Sequence, residues 1–467
     1  MEKSRLISVF NTLSKQELRE LRKFVRSPYF NQQEMLVRFF DYLVASKLET
    51  QVIPSKEKVF QKLFPNQEFN DVKIRLLMSD LHKLIENFLI CQKTFEQTIH
   101  NKIQLSQIYR QRNLPKHFQK TIRTANELLE KDELRHADYY QHRFEQLVEQ
   151  LEFASANNKV REYDLQEIAN TFDVSFIIKK LNQTCLLFSH QAIYKKQYDL
   201  GLIPKVIEYI EQKELLEIPA IEVYYYYYLS LTQEGHLNFF RRFKELFFLH
   251  GNKFPLRELR DLYLMAINYC IRQLNQGNSE FTQECLDLYK GALEKGFLFD
   301  KQLSHITYNN IVRAALMVGD LEWATGFIED YKGNLKRRIR ESTWKFNLAR
   351  LEYEKKNYDN ALVHLQKADF GDILNNLNAK TLSLKIYYEL DEFNLLDSHL
   401  ESMKTFIRRK TVMAYHQTNY LNIIRYTKKL LSTNFYDRAK KEALQKEIEQ
   451  EEILTEREWL LEQVNKY

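Results

Sequence analysis

Histidines, cysteines, carboxylates and two dense basic clusters are the side chains of this sequence that could carry chemistry. A metal site built within one helix needs its donors on one face. The nearest histidine pair, His136 and His142, stands six apart and so falls on different faces of a helix. Cys91, Cys185, Cys270 and Cys285 form no CxxC pair, which argues against a zinc ribbon or a disulfide framework. They read as small buried hydrophobes in a reducing compartment. The sequence contains no GxxxxGK[ST], HExxH or GxSxG motif. The carboxylates of "EIEQEEILTERE" read as one solvated helix face. The expectation is a non-enzymatic protein with no catalytic residue, no cofactor and no metal.

Two joints concentrate positive charge: "NLKRRIRES", with Lys336, Arg337, Arg338 and Arg340, and "IRRK", with Arg408, Arg409 and Lys410. Such clusters grip phosphates; cations also accumulate at helix C-termini, where they meet the dipole favourably. The stretch "VYYYYYLSL", Val223 to Leu231, offers aromatic surface on which bases can stack. Together these features define an alternative reading, binding or regulation of RNA or DNA. Charge is also partitioned along the chain. Residues 301–441 hold 24 Lys and Arg against 16 Asp and Glu, whereas residues 442–467 hold 3 against 8. A basic stretch followed by an acidic one suits either a partner surface with a self-complementary tail or two solvated faces.

The elements that must position these residues are helices. Among 467 residues there are only 10 Gly and 7 Pro, too few for the reversals of a sandwich or barrel. A 44% hydrophobic content supplies core for two or more domains or an elongated array. The opening "MEKSRLISVFNTLSK" has no apolar secretion core, and no apolar run reaches membrane-spanning length, so a cytoplasmic location without membrane insertion is expected. Residues 1–95 read as a compact helical unit. Its predicted helix starts are Ser14 with Glu17, Asn31 with Glu34, Ser55, and a long helix from Asp71; Phe30 is placed to staple onto Met35. That long helix is apolar around most of its circumference, which argues against a DNA recognition helix. From residue 96 the chain becomes a succession of helical stretches with short polar joints, through residue 441. Residues 442–467 read as an acidic cap in which Thr455 and Glu458 start a last helix carrying Trp459, Leu460 and Leu461.

One segment, "STWKFNLARLEYEKKNYDNALVHLQKADF" (342–370), resembles a tetratricopeptide repeat. Leu348 and Ala349 stand where that family places a leucine and a small residue. Tyr358 and Asp359 stand at its turn, Ala361 at its helix crossing, Leu365 at its bulky position and Ala368 at its last small one. The same register places Gly319 and Asp320 at a turn with Ala324 at a crossing, and Asp391 and Glu392 at a turn with Leu396 at a crossing. The resemblance implies an all-α fold: the N-terminal unit followed by a right-handed α-solenoid of degenerate tetratricopeptide-like hairpins. It also implies that Arg313, Arg350 and Lys385 recur at equivalent groove-facing positions, beside Asn309, Phe346 and Thr381 and, one turn on, Leu316, Tyr353 and Tyr388. Extended upstream, it places Tyr224, Tyr227, Tyr228 and Leu231 between hairpins and leaves Tyr225 and Tyr226 toward the groove. A ladder of cations flanked by aromatics suits a peptide or protein partner rich in carboxylates. The leading expectation is an interaction scaffold or adaptor that holds such a partner in its concave groove.

Overall fold

The structure, a computed structural model, describes residues 1–467 except 50–51, 158–163, 195, 234, 301, 367–372, 410–413 and 467. Ala368, Phe370 and Lys410, named above, lie outside or beside what is described: each falls within those excepted ranges. The chain divides into two compact units, Met1–Pro255 and Leu256–Tyr467.

The first unit begins with α1 (Arg5–Thr12), α2 (Lys15–Val25), α3 (Glu34–Glu49), α4 (Lys56–Leu63) and α5 (Asp71–Glu96). It continues through α6 (Thr98–Gln111), α7 (Pro115–Lys131), α8 (Ala137–Ala156), α9 (Leu165–Tyr194), α10 (Ile203–Gln212), α11 (Pro219–Thr232) and α12 (Leu237–Leu249). Local chemistry starts most of these helices where expected; the exception is Asn31, which accepts from the Gln33 amide while α3 begins only at Glu34. Ser14 and Glu17 form a reciprocal capping box on α2, and Ser55 accepts from the Lys58 amide at the head of α4. Asn70 caps α5, and proline opens α7 and α11. The Phe30 ring stacks on Phe24, with centroids 4.0 Å apart.

Buried side chains of α1 to α5 form one core cluster, from Leu6 to Phe88, with no member beyond residue 89. Only one face of α5 joins it. Ile74, Leu77, Leu81 and Ile85 are buried, whereas Val72, Leu76 and Ile90 are exposed. The expectation of an apolar surface buried all round is corrected, because α1 to α4 cover α5 from a single side.

The five tyrosines lie on α11, which packs between α9 and α12. Tyr224, Tyr225 and Tyr227 are buried, and Tyr226 and Tyr228 are half-buried. Tyr224 accepts a hydrogen bond from Asn182 at 3.0 Å, and Tyr225 donates to Glu211 at 2.7 Å. Tyr225 is therefore not left facing a groove. At about 100° per residue five rings surround the helix, and three of them are buried, so no stacking platform forms.

The second unit contains α13 (Leu256–Asn275), α14 (Phe281–Glu294), α15 (His305–Val318), α16 (Leu321–Asp330), α17 (Arg337–Glu354), α18 (Tyr358–Gln366), α19 (Ile373–Glu389), α20 (Phe393–Arg409), α21 (Ala414–Ser432), α22 (Arg438–Gln450) and α23 (Arg457–Asn465). An antiparallel pair of two-residue strands, β1 (Phe299–Asp300) and β2 (Gln302–Leu303), precedes α15.

Hairpins α15–α16, α17–α18 and α19–α20 share one turn. Gly319, Lys356 and Asp391 all adopt left-handed backbone, with φ of 82°, 59° and 57°. In each, the next residue's amide reaches back to the carbonyl five positions earlier: Asp320 to Ala315, Asn357 to Glu352 and Glu392 to Tyr387, at 2.9–3.0 Å. The left-handed residues are 37 and 35 residues apart, the same spacing as the crossing residues Ala324, Ala361 and Leu396, all fully buried. Because α17 packs on both α15 and α19, each hairpin buries a second face against its neighbour. The same closure, from Leu114 to Tyr109 and from Asn278 to Gln273, joins α6 to α7 and α13 to α14. The chain is thus all-α and holds helical hairpins that share this turn, with Asn, Lys or Asp in the left-handed position where glycine is absent.

Two predictions follow from this construction. A Cβ on Gly319 would meet nothing within 4 Å, so Gly319→Ala should cost only its backbone strain, about 1 kcal/mol. Asp391→Gly should stabilise by a similar amount, and urea denaturation of the two variants should move the midpoint in opposite directions. The self-contained core of α1 to α5 predicts that a fragment of residues 1–97 unfolds cooperatively by circular dichroism. A broad, non-cooperative melt would contradict that boundary.

Candidate functional site

The cations of the three first helices lie in the second unit. Arg350 of α17 is half-buried. Its guanidinium donates to the Asn309 carbonyl at 3.1 Å and to the Asn347 side-chain oxygen at 3.4 Å. Asn347, fully buried, donates in turn to the Asn309 side chain at 2.6 Å and to the Thr343 carbonyl. Burial, with the like charge of Arg313 next, pushes the Arg350 guanidinium down to about 10, so it remains charged near neutrality. Lys385 of α19 donates to Glu456 at 2.7 Å and lies 4.7 Å from the Tyr353 ring centre and 5.8 Å from that of Trp459. Arg313 of α15 is exposed and makes no hydrogen bond or ion pair among the described residues.

Glu456 comes from the chain's own C-terminal segment. It stands at the N-cap of α23 in left-handed backbone, φ 56°, and makes no side-chain cap. The expected cap by Thr455 is therefore corrected: the N-cap falls one residue later, on Glu456, whose side chain goes to Lys385. The charge of Lys385, followed by those of Arg313 and Arg350, holds the Glu456 carboxyl below the usual range.

One helical turn further, Trp459 is buried and stands edge-on to Tyr388, with centroids 5.4 Å apart. Its indole N–H donates to Glu389 at 2.8 Å. Glu389, the last residue of α19, also accepts the hydroxyls of Tyr353 and Tyr358 and meets Lys356 at 3.4 Å. Its side chain is only 6% exposed. Burial alone would push this carboxyl up, but the three hydrogen bonds and Lys356 outweigh it and hold the group below its ordinary value.

Of the other residues expected to line a groove, Asn309 is half-buried, and Phe346, Thr381, Leu316, Tyr353 and Tyr388 are buried. Phe346 and Tyr353 belong to a core cluster with Ala361 and Leu382. Tyr388 belongs to another, which includes Trp459 and Leu460. These aromatics pack because neighbouring helices and the C-terminal helix cover them. Tyr226 is half-buried, with its ring 5.9 Å from the Arg242 guanidinium.

Lys336, Arg337 and Arg338 are exposed, but they occupy the N-cap and first turn of α17. The reading that placed them at a helix C-terminus is corrected: the dipole there disfavours cations. Arg340 instead donates to the Gly333 and Leu335 carbonyls. Arg408 and Arg409 do sit in the last turn of α20. All four cysteines are free, and burial pushes the Cys285 thiol up to about 12.

Glu389 and Glu456 were not singled out as site residues from the sequence. The charge asymmetry between residues 301–441 and the acidic end was the available signal, together with the expectation that Trp459 closes the array.

Because both carboxyls titrate lower in the folded state, the stability they add is complete above about pH 4.3 and is lost as pH falls through their folded values. All three tryptophans, Trp323, Trp344 and Trp459, lie in the second unit, so their fluorescence reports on it alone. The urea midpoint followed this way should drop on acidification from about pH 5 to 3. Glu389→Gln should lose roughly 2 kcal/mol at pH 7, by leaving buried donors mismatched, and should show a shallower acid dependence. An equal acid slope in variant and wild type would remove Glu389 from this role.

No protein-family model matches the chain, and no curated protein matches it. Among solved structures it is similar to one described as the crystal structure of APC/C hetero-tetramer Cut9-Hcn1, at 10% sequence identity and a TM-score of 0.28, over 98% of this chain and 88% of that one. The helical-repeat fold stands on the hairpins of this chain. No described helix is long and apolar enough to cross a membrane.

Proposed function

We propose that the second unit is a non-enzymatic docking scaffold for a protein or peptide segment that presents a carboxylate with an aromatic side chain one helical turn away. The observation that carries this reading is the pairing of Glu456 with Lys385 while Trp459 donates to Glu389. The chain's own C-terminal segment lies where a partner's acidic residue would bind, on a ladder of Arg313, Arg350 and Lys385. A charge-assisted bond shielded by Tyr353 and Trp459 is stronger than one in open water. Arg313, exposed beside this pair, is the cation left for an incoming carboxylate. In this reading the acidic segment is a resident occupant with which a partner competes, and the scaffold works in the cytoplasm.

Arg350 is a poor probe because it also ties α15 to α17; Arg313 makes no such tie, although its charge also acts on Glu456. Affinity capture followed by mass spectrometry should compare wild type, Arg313→Glu and Glu456→Ala, with folding of each checked by circular dichroism. The same partner set should weaken with Arg313→Glu and strengthen with Glu456→Ala. A set that responds to neither substitution would overturn the proposal.

A further inference from the structure

A second cluster of chemically capable side chains lies in the first unit, between two helices that pack together although α7 separates them in sequence. His100 is in the first turn of α6; His142 and Glu145 are one turn apart on α8. One ligand atom from each lies within 4.8 Å of the other two. His100 Nδ1 is 3.6 Å from Glu145 Oε2, and the two imidazole centroids are 6.0 Å apart.

The carboxylate is held in a definite orientation. Its Oε1 accepts from Gln141 Nε2 at 3.0 Å, as an outer-shell amide orients a metal ligand. Its Oε2 is buried and has no hydrogen-bond partner. A buried carboxylate oxygen with no protein donor is stabilised by a cation placed against it. A distance of 3.6 Å from His100 is too long for a hydrogen bond. It is close to the separation of two ligands on a tetrahedral ion with metal bonds of about 2.1 Å.

We propose that His100, His142 and Glu145 bind a divalent transition metal, with zinc as the fitting ion. Two imidazoles and one carboxylate suit Zn²⁺, with water completing the tetrahedron, whereas Mg²⁺ and Ca²⁺ demand mostly oxygen ligands. The absence of a thiolate among the three disfavours copper(I). The ion clips α6 to α8 and satisfies the Glu145 oxygen. Pairing histidines by sequence spacing led only to His136 and His142, since the true partner comes from another helix.

The test uses the full-length chain freed of metal, titrated with ZnCl₂ by calorimetry and with CoCl₂ by visible absorption. Wild type should bind about one equivalent, develop the intense visible bands of tetrahedral cobalt, and melt at a higher temperature. His100→Ala and Glu145→Gln should each weaken binding at least about tenfold, while His236→Ala, at an exposed histidine outside the cluster, should leave it unchanged. Should His100→Ala fail to fold, His142→Gln replaces it. Wild type that takes up no metal at micromolar concentrations, or cluster variants that bind as tightly as wild type, would overturn the site and leave His100 and Glu145 as an interhelical ion pair.

Discussion

One buried carboxylate carries the organisation of the second unit. Glu389 ends α19, yet its donors come from α17, α18 and α23, so four helices meet at a single side chain. Removing a carboxylate from water is costly, and here its acceptor sites are nearly all occupied by protein donors with Lys356 as counter-charge. The arrangement also selects among packings. Any displacement of α23 or of the α17–α18 hairpin would strip a hydrogen bond from a group that water does not reach. Apolar packing between hairpins tolerates sliding; this junction does not.

The repeating part of the fold is simpler. Each hairpin reverses through one left-handed residue followed by a long backbone hydrogen bond, then crosses its neighbour at a fully buried residue. Glycine is the residue that reaches this backbone most easily, but Asn, Lys and Asp occupy it in three of the five turns, at Asn113, Lys356 and Asp391. Stacking of the hairpins compensates for the local strain.

What the sequence made legible follows the range of each interaction. Helix starts at Ser14, Ser55, Pro115 and Pro219 were readable, because capping joins residues three or four apart. The crossings at Ala324, Ala361 and Leu396 were readable as well, because an approximate period links them. Tyr225 and Thr455 were misplaced for the opposite reason. A register derived within a hairpin is blind to what covers it from elsewhere, and Glu211 and Lys385 recruit side chains across space. The cation ladder was legible as a recurrence of residue type. Its acidic neighbour, about seventy residues away from Lys385, was visible only as a change in charge along the chain.

The left-handed residue at the head of α23 has a thermodynamic consequence. A helix of nine residues has too few internal hydrogen bonds to persist alone in water. This one also lacks the side-chain cap that would satisfy its first amides. Its order is therefore borrowed from the surface beneath Glu456 and Trp459. Away from that surface the segment would be an acidic tail and not a rigid arm. The chain entropy it regains on release offsets part of the contact energy it loses.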